Sequence, residues 1–275
     1  MQKNNRRKEK AIKSTGRGKN VRKRFFSWLK IHSSTILLLG ILLLGFNLRM
    51  HNINTWPRKG ATFDEYAWTW LGINLIQEHV PVSWSPHPQY KDARDVIYQQ
   101  THFRIVKPFL EHPPLFGLIA GGFALSTGVK NMYTLDINNI RGLSLLLGMM
   151  SLVFMYLFVL EVYSKRLAVL ASLLYATIPT VVIGSRIVQN ENFFIPFWLF
   201  SLYLLSKYLH SKRVLYRNLA IFICSILILA KIPWIAGSIS LLGILLFYKK
   251  YKDAGYVLLG IGAALAAYLL YGTVS

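Results

Sequence analysis

Apolar residues occur along most of the chain in long, nearly uninterrupted runs, without the alternation of half-buried strands or the single apolar stripe of soluble helices. The runs are about 15 to 20 residues long, close to the roughly 20 helical residues that cross the hydrocarbon core of a bilayer. A soluble protein could not cover so many helices that are apolar on all sides. The pattern therefore predicts an all-α, polytopic integral membrane protein.

The apolar runs predict about seven transmembrane helices. The first is expected to be an uncleaved signal anchor, because no small-x-small cleavage site follows its apolar core. The predicted spans are residues 31–50, 142–163, 167–186, 192–209, 219–231, 234–248 and 254–271.

Basic residues cluster beside these runs and predict the orientation of the chain. Twelve of the 32 lysines and arginines lie within residues 1–30, and most of the others form clusters at 165–166, 207–217 and 249–252. Short basic loops of this kind are typical of the cytoplasmic side, and no nucleic-acid recognition fold accompanies the net charge of +21. We expect a disordered cytoplasmic tail at 1–30, a multi-pass protein of the plasma membrane, an external carboxyl terminus, and no nucleic-acid partner.

Residues 51–140 are mixed in composition and are expected to form one large external loop. Its apolar stretch 115–128 is short for a span, and a crossing there would place the later basic clusters opposite the tail, so a juxtamembrane helix is predicted. Thr62 and Glu65 have the spacing of a capping box for a second helix that ends near His79. We expect this helix to lie on the outer surface, because it contains the interface-favouring residues Tyr66, Trp68 and Trp70.

The predicted loop holds most of the acidic residues, and this distribution suggests chemistry at the outer surface. Only 11 acids occur in the chain, and seven of them lie from Asp64 to Asp136. A carboxylate can act as general base on a hydroxyl, and nearby cations can stabilise a phosphate leaving group. These two features suit transfer of a group from a lipid phosphate to a hydroxyl, although spacing alone does not identify the group.

Five short motifs occur in a fixed order between the predicted spans. They are Phe63-Asp64-Glu65-Tyr66, Glu111-His112-Pro113-Pro114-Leu115, Ile140-Arg141-Gly142-Leu143-Ser144, Ser185-Arg186 with Glu191, and Ala230-Lys231. The set resembles the GT-C glycosyltransferases that use polyprenyl-phosphate sugars. The branch concerned holds protein O-mannosyltransferases, the aminoarabinose transferase of lipid A and the RgtA/B/C/D-like domain. The resemblance covers roughly residues 31–275 and implies the seven-helix GT-C module.

The resemblance implies inverting transfer of a sugar from a polyprenyl-phosphate donor to a hydroxyl of an external acceptor, which would be a protein, a lipid or a cell-envelope glycan. Asp64 corresponds to the catalytic base. Glu111 corresponds to an acidic position that ligates a divalent metal in some members, and no other cofactor is implied. His112 stands where the family often has lysine as a phosphate contact, a role that a protonated histidine could partly fill. Glu191 corresponds to the second acidic position, near the sugar or the metal.

Other residues complete the predicted substrate site, each with a structural alternative. Glu65 lies beside the base, with capping as its alternative role, and cations at helix ends could contact phosphate or point to the membrane interface. The cation candidates are Lys231, which ranks first, Arg141, Arg186, and the loop residues Arg104 and Lys107. The candidates for stacking on a sugar are Trp68, Trp84 and Tyr98, with membrane-interface anchoring as the alternative.

Two other functional classes stay open at this point. Members of the family usually continue with further helices and often an outer soluble domain, whereas this sequence ends at Ser275 directly after an apolar run. A truncated or non-catalytic module that acts as a partner-binding subunit is therefore one alternative. A transporter is the other, and it predicts polar residues at mid-helix, of which the predicted spans contain few.

Overall fold

The computed structural model describes residues 35–274, with only the backbone of Val274. The predicted tail 1–30 and the first residues of the predicted first span lie outside this range. Helix α1 (Thr35–Met50) crosses the boundary between two compact units, which falls after Ile41. The larger unit begins at Leu42 and contains everything described below.

A helix is present at every position where a span was predicted. The helices after α1 are α2 (Asp64–Glu78), α3 (Leu115–Ser126), α4 (Ile137–Val162), α5 (Lys165–Thr177), α6 (Pro179–Gly184), α7 (Asn190–Ser211), α8 (Val214–Leu227), α9 (Ile235–Phe247) and α10 (Tyr251–Val274), with short 3₁₀ helices at Met132–Thr134 and Ile232–Trp234. The predicted third span is divided into α5 and α6, because Pro179 disfavours helical geometry at Ile178.

Two of the described helices, α4 and α10, are long and apolar enough to cross a bilayer by length and composition. The other apolar helices among the described residues are shorter than 18 residues or less apolar. The count of seven spans therefore stays a prediction.

The predicted external loop, residues 51–140, contains a three-stranded antiparallel sheet, so the all-α prediction is wrong there. Strands β1 (Ser83–Trp84), β2 (Ala93–Tyr98) and β3 (Thr101–Val106) are arranged in the order β1-β3-β2. The β2–β3 hairpin turns at Gln99-Gln100, whose φ angles of 48° and 63° are both left-handed, as a type I′ turn requires. Residues with β-branched and aromatic side chains favour these strands, but the turn lacks the usual Asn or Gly that would announce a hairpin.

The sheet and α2 share an aromatic core. Phe103 of β3 lies between Tyr66 and Trp70 of α2, with ring centroids 5.0 and 4.8 Å away. Tyr66, Trp68 and Trp70 are each 4% exposed or less. The prediction that these aromatics anchor α2 in the membrane interface is therefore wrong, since they are enclosed by protein.

Helices α2 and α3 approach each other through glycines. A Cβ atom on Gly72 would lie 1.8 Å from the carbonyl oxygen of Gly117, and one on Gly121 would lie 2.3 Å from the carbonyl carbon of Gly72. Only glycine allows two backbones to come this close. The contact fixes α2 against α3, and with it the start of α2 against the loop that precedes α3.

The predicted capping box at the start of α2 is also wrong. The Thr62 hydroxyl accepts the backbone N–H of Asp64 at 3.2 Å, but Phe63 is the residue before the helix and its side chain makes no capping bond. The Glu65 side chain does not turn back towards Thr62, because it is buried and paired with groups from other parts of the chain.

Helices α7 to α10 form a second apolar core within the larger unit. It includes Leu205 of α7, Cys224 of α8, Leu241 of α9 and Val257 of α10, all of them buried. This cluster packs the middle of α8 against α7, α9 and α10.

Candidate active site

Asp64, the predicted base, begins α2 and is partly exposed. Within the described part of the chain its carboxylate makes no hydrogen bond or ion pair, so both oxygens are available to a substrate. Burial raises the pKa of this carboxyl above its ordinary value, while Lys231 lowers the pKa and Glu191 raises it. Asp64 is therefore electrostatically coupled to the two residues that the sequence placed at the same external face.

Lys231 and Glu191 form an ion pair, with Nζ 2.9 Å from Oε1. Their side chains are 24% and 41% exposed, so the pair is open to solvent. Glu191 lies in the first turn of α7, and Lys231 follows α8 with its ammonium 5.7 Å from the ring centroid of Trp234. The structure thus brings two predicted site residues into direct contact.

Backbone and side-chain hydrogen bonds fasten the segments that carry this pair. The Asn190 side chain donates to the carbonyl of Ala230 at 2.8 Å and accepts from the indole of Trp234 at 2.5 Å. The N–H of Leu115, at the start of α3, donates to the carbonyl of Leu229 at 3.0 Å. The start of α7, the end of α8 and the loop before α3 are therefore held together around the Lys231–Glu191 pair.

His112 lies in the loop before α3 and packs on Trp68, with ring centroids 4.9 Å apart. Burial, followed by the charge of Lys231, lowers the pKa of His112 to about 4. The imidazole is consequently neutral at pH 7. The lowered pKa does not favour the predicted protonated, lysine-like histidine at neutral pH, but a neutral N–H can still donate one hydrogen bond.

Glu111 makes local contacts that account for both of its oxygens. The Ser85 hydroxyl donates to Oε1, and Nε2 of His87 lies 3.7 Å from Oε2. Glu111 and His87 supply two donors, fewer than the three protein ligands of a typical catalytic zinc site. Among residues 35–274, no group of three or more His, Cys, Asp or Glu side chains could hold a metal ion. The donor set at Glu111 thus fits local contacts with Ser85 and His87 better than a metal centre.

Glu65 and Arg141 form an ion pair inside the protein, with Nη2 3.3 Å from Oε2 and neither side chain exposed. Arg141 also donates to the carbonyl of Ile53 at 2.6 Å, and Glu65 accepts the backbone N–H of Val188 at 3.2 Å. Neither residue is open to a phosphate in this structure. Their contacts join α2, α4, the segment after α1 and the segment before α7 at the residue next to Asp64.

Arg186, another predicted phosphate contact, is also committed to the protein. It is 6% exposed and donates to the carbonyls of Leu48 at 2.5 Å and Trp56 at 3.1 Å. Arg49, which sequence reasoning did not select, is fully buried and donates to the carbonyls of Tyr175 and Ala176 at 3.2 Å each. Arg49 stands at the end of an apolar run, where basic side chains commonly point to the membrane interface, and no sequence signal indicated its burial.

The remaining candidates lie around the sheet. Arg104 donates to the carbonyls of Pro88 at 3.2 Å and Tyr90 at 3.1 Å, and Lys107 is exposed beyond β3. The Tyr98 hydroxyl donates to the carbonyl of Leu135 at 2.6 Å. Trp84 packs on Phe63, with ring centroids 4.8 Å apart, while Trp68 is too deeply buried to stack on a sugar.

Comparison with known proteins agrees with the family resemblance of the sequence motifs. Over residues 111–271, more than half of its length, the chain matches the family described as dolichyl-phosphate-mannose-protein mannosyltransferase. Among curated proteins, none matches the sequence.

Solved membrane glycosyltransferases match most of the chain. The S. cerevisiae protein O-mannosyltransferase Pmt1-Pmt2 complex bound to the sugar donor has a TM-score of 0.60 and 14% identity, covering 88% of this chain and 33% of that one. The apo Archaeoglobus fulgidus oligosaccharyltransferase has a TM-score of 0.59 and 17% identity, covering 89% and 30%. The A. fulgidus oligosaccharyltransferase AglB, in complex with an inhibitory peptide and a dolichol-phosphate, has a TM-score of 0.56 and 18% identity, covering 88% and 30%. These matches show the GT-C fold, and the chain spans about a third of the length of the proteins it matches.

Proposed function

The chain belongs to the dolichyl-phosphate-mannose-protein mannosyltransferase family, and from this premise we propose that it transfers a sugar from a polyprenyl-phosphate donor to a hydroxyl of an external acceptor. The acceptor class is a protein, a lipid or a cell-envelope glycan. In the proposed arrangement seven spans place the amino terminus in the cytoplasm and Asp64 at the outer face of the plasma membrane. Related structures that contain a sugar donor or a dolichol-phosphate support a lipid-phosphate donor.

One observation carries this proposal: the unpaired Asp64 carboxylate is electrostatically coupled to a solvent-accessible Lys231–Glu191 ion pair, whose atoms lie 2.9 Å apart. In the proposed reaction Asp64 removes the proton of the acceptor hydroxyl. The acceptor oxygen then attacks the anomeric carbon from the face opposite the phosphate, so the configuration inverts. The bond between the anomeric carbon and the phosphate oxygen breaks, and the phosphate leaves with the electron pair.

The raised pKa of Asp64 suits the role of base, since a carboxylate whose pKa is closer to the working pH accepts a proton more readily. A positioned general base typically contributes 10²–10⁴-fold to the rate. Lys231 supplies the positive charge that stabilises the departing phosphate, as preorganised cations do in other transfer enzymes. His112, being neutral, contributes at most a hydrogen bond in this scheme.

The decisive experiment compares Asp64→Asn with Glu78→Gln in proteoliposomes that contain a polyprenyl-phosphate mannose and a hydroxyl acceptor. Glu78 is an exposed acid at the opposite end of α2, about 20 Å from Asp64 along the helix, and serves as the matched control. We expect Asp64→Asn to lose about 10²–10⁴-fold in transfer rate while the control keeps its rate. Transfer at the normal rate by Asp64→Asn would refute the base assignment. Donor binding without any transfer by the unaltered protein would favour the non-catalytic, partner-binding alternative.

A further inference from the structure

Lys231 differs from the buried arginines described above in the kind of partner it has. Arg141 is paired with buried Glu65, and Arg186 and Arg49 are held by backbone carbonyls that cannot move away. Lys231 is paired with the carboxylate of Glu191, a side chain that is 41% exposed and can turn into solvent. Of these four cations, Lys231 is the one whose partner can be exchanged without disturbing the fold.

The anchor points of the Lys231–Glu191 pair are fixed, so exchange requires only side-chain rotation. Asn190 directly precedes Glu191, and Ala230 directly precedes Lys231. The side chain of Asn190 is bonded to the carbonyl of Ala230 at 2.8 Å. The two backbones therefore stay together whether or not the charges touch. The long, flexible lysine stem can swing its ammonium from one anion to another.

The proposed reaction changes the charge of the lipid phosphate, and this change bears on Lys231. The donor is a phosphodiester with one negative charge, whereas the product is a phosphomonoester that carries about −1.5 to −2 at pH 7. A lysine that holds the donor would hold the product more tightly. A competing anion at the same ammonium would speed release of the product.

We propose that Glu191 is this competing anion, a counter-ion that gives up Lys231 to the donor phosphate and takes it back to expel the lipid monophosphate. This inference rests on the proposed function, because it concerns how the same site releases its product. Glu191 acts through Lys231 and touches no reacting atom, so it is a positioning residue. Its carboxylate also repels the monophosphate more strongly than the diester, since the monophosphate has the larger charge.

The test measures binding directly, with two probes: a polyprenyl monophosphate and its methyl phosphodiester, which cannot transfer a sugar. We expect Glu191→Gln to bind the monophosphate about threefold to tenfold more tightly, with a smaller gain for the diester, the range that a partly exposed ion pair supports. Glu78→Gln is the matched control and should bind both probes as the unaltered protein does. Unchanged or weaker monophosphate binding by Glu191→Gln would overturn the inference.

A second variant shows whether the effect passes through Lys231 and guards against a general disturbance of the site. In a Lys231→Gln background, Glu191→Gln removes only the repulsion between the Glu191 carboxylate and the phosphate. The gain in monophosphate affinity should therefore be smaller than it is in the presence of Lys231. An equal gain in both backgrounds would contradict the exchange. In the transfer assay, Glu191→Gln should show stronger inhibition by the monophosphate product than the unaltered protein.

The outcomes separate this inference from the proposed function. If the unaltered protein binds neither probe, both fail together. If it binds both probes and loses transfer in Asp64→Asn, but Glu191→Gln binds the monophosphate no more tightly, the proposed function stands and the counter-ion role of Glu191 is refuted.

Discussion

Glu65 and Arg141 meet as an ion pair with no exposed surface on either side chain, Nη2 lying 3.3 Å from Oε2. Glu65 immediately follows the proposed base Asp64 in α2, and Arg141 lies in the first turns of α4. The same carboxylate accepts the backbone N–H of Val188, which joins the segment before α7 to this contact. The position of Asp64 relative to α4 and α7 is therefore set by a contact one residue away from it.

Breaking this pair is expected to destabilise the protein. Arg141→Gln leaves the Glu65 carboxylate buried without a counter-charge, and loss of one partner of a buried pair typically costs about 3–5 kcal/mol. We expect that loss in the free energy of unfolding, measured by denaturation of the purified protein in detergent micelles. Arg94→Gln, an exposed site on β2, should change stability by less than about 0.5 kcal/mol. Normal stability of Arg141→Gln with lost binding of a lipid phosphate would instead support the phosphate contact predicted from sequence.

The pH dependence of transfer should report the two charges that face Asp64. The base works when deprotonated, so the rate at saturating donor should rise with pH through the Asp64 pKa. Glu191 raises this pKa and Lys231 lowers it. The acidic limb of the profile should therefore move to lower pH in Glu191→Gln and to higher pH in Lys231→Met. If the acidic limb moves in the same direction in both variants, another group controls the profile. Glu78→Gln should leave it in place.

The helices could be predicted from sequence because each follows from a local property. Long apolar runs and basic clusters determine where α4, α7 and α10 lie, and no distant contact is needed to recognise them. Asp64, Glu191 and Lys231 were selected by their resemblance to family motifs, and the structure brings Glu191 and Lys231 into contact near Asp64.

What could not be predicted depends on contacts between distant parts of the chain. The spacing of Thr62 and Glu65 fits a local capping box, but Arg141, 76 residues further on, binds the Glu65 carboxylate instead. The depth of Arg186 follows from carbonyl oxygens in α1 and the segment after it, which sequence does not place beside it. The hairpin was missed because its Gln-Gln turn is left-handed without glycine or asparagine.

His112 should act as a neutral residue in function and should make the fold sensitive to acid. Its pKa of about 4 lies below the ordinary value of 6.5, so the unfolded chain binds a proton there more readily than the folded protein does. The stability that follows is present above pH 6.5 and is lost as the pH falls towards 4. His112→Asn should reduce the loss in the free energy of unfolding between pH 7 and pH 4 by on the order of 1–2 kcal/mol. The partial exposure of the ring makes this contribution smaller than a fully buried histidine would give.

Thermal unfolding of the unaltered protein and His112→Asn between pH 4 and pH 7 would measure the difference. The two should diverge at low pH, after correction for any constant offset at pH 7. His79→Asn is the matched control, because His79 is exposed at the end of α2. Parallel stability curves for His112→Asn and the unaltered protein would mean that folding does not lower the pKa of His112, and a protonated, lysine-like histidine would regain support below about pH 6.5.

The glycine contact between α2 and α3 should be the most sensitive packing position within residues 51–140. A Cβ on Gly72 would lie 1.8 Å from the backbone oxygen of Gly117, a clash that only movement of one helix can relieve. We expect Gly72→Ala to lower stability by about 2–3 kcal/mol and to reduce transfer, because α2 carries Asp64. Gly122→Ala is the control from the same helix pair, since its Cβ would meet only Ile76 at 3.7 Å and alanine favours a helix. Equal stability of the two variants would show that α2 and α3 are free to separate, and Asp64 would then not be positioned by their contact.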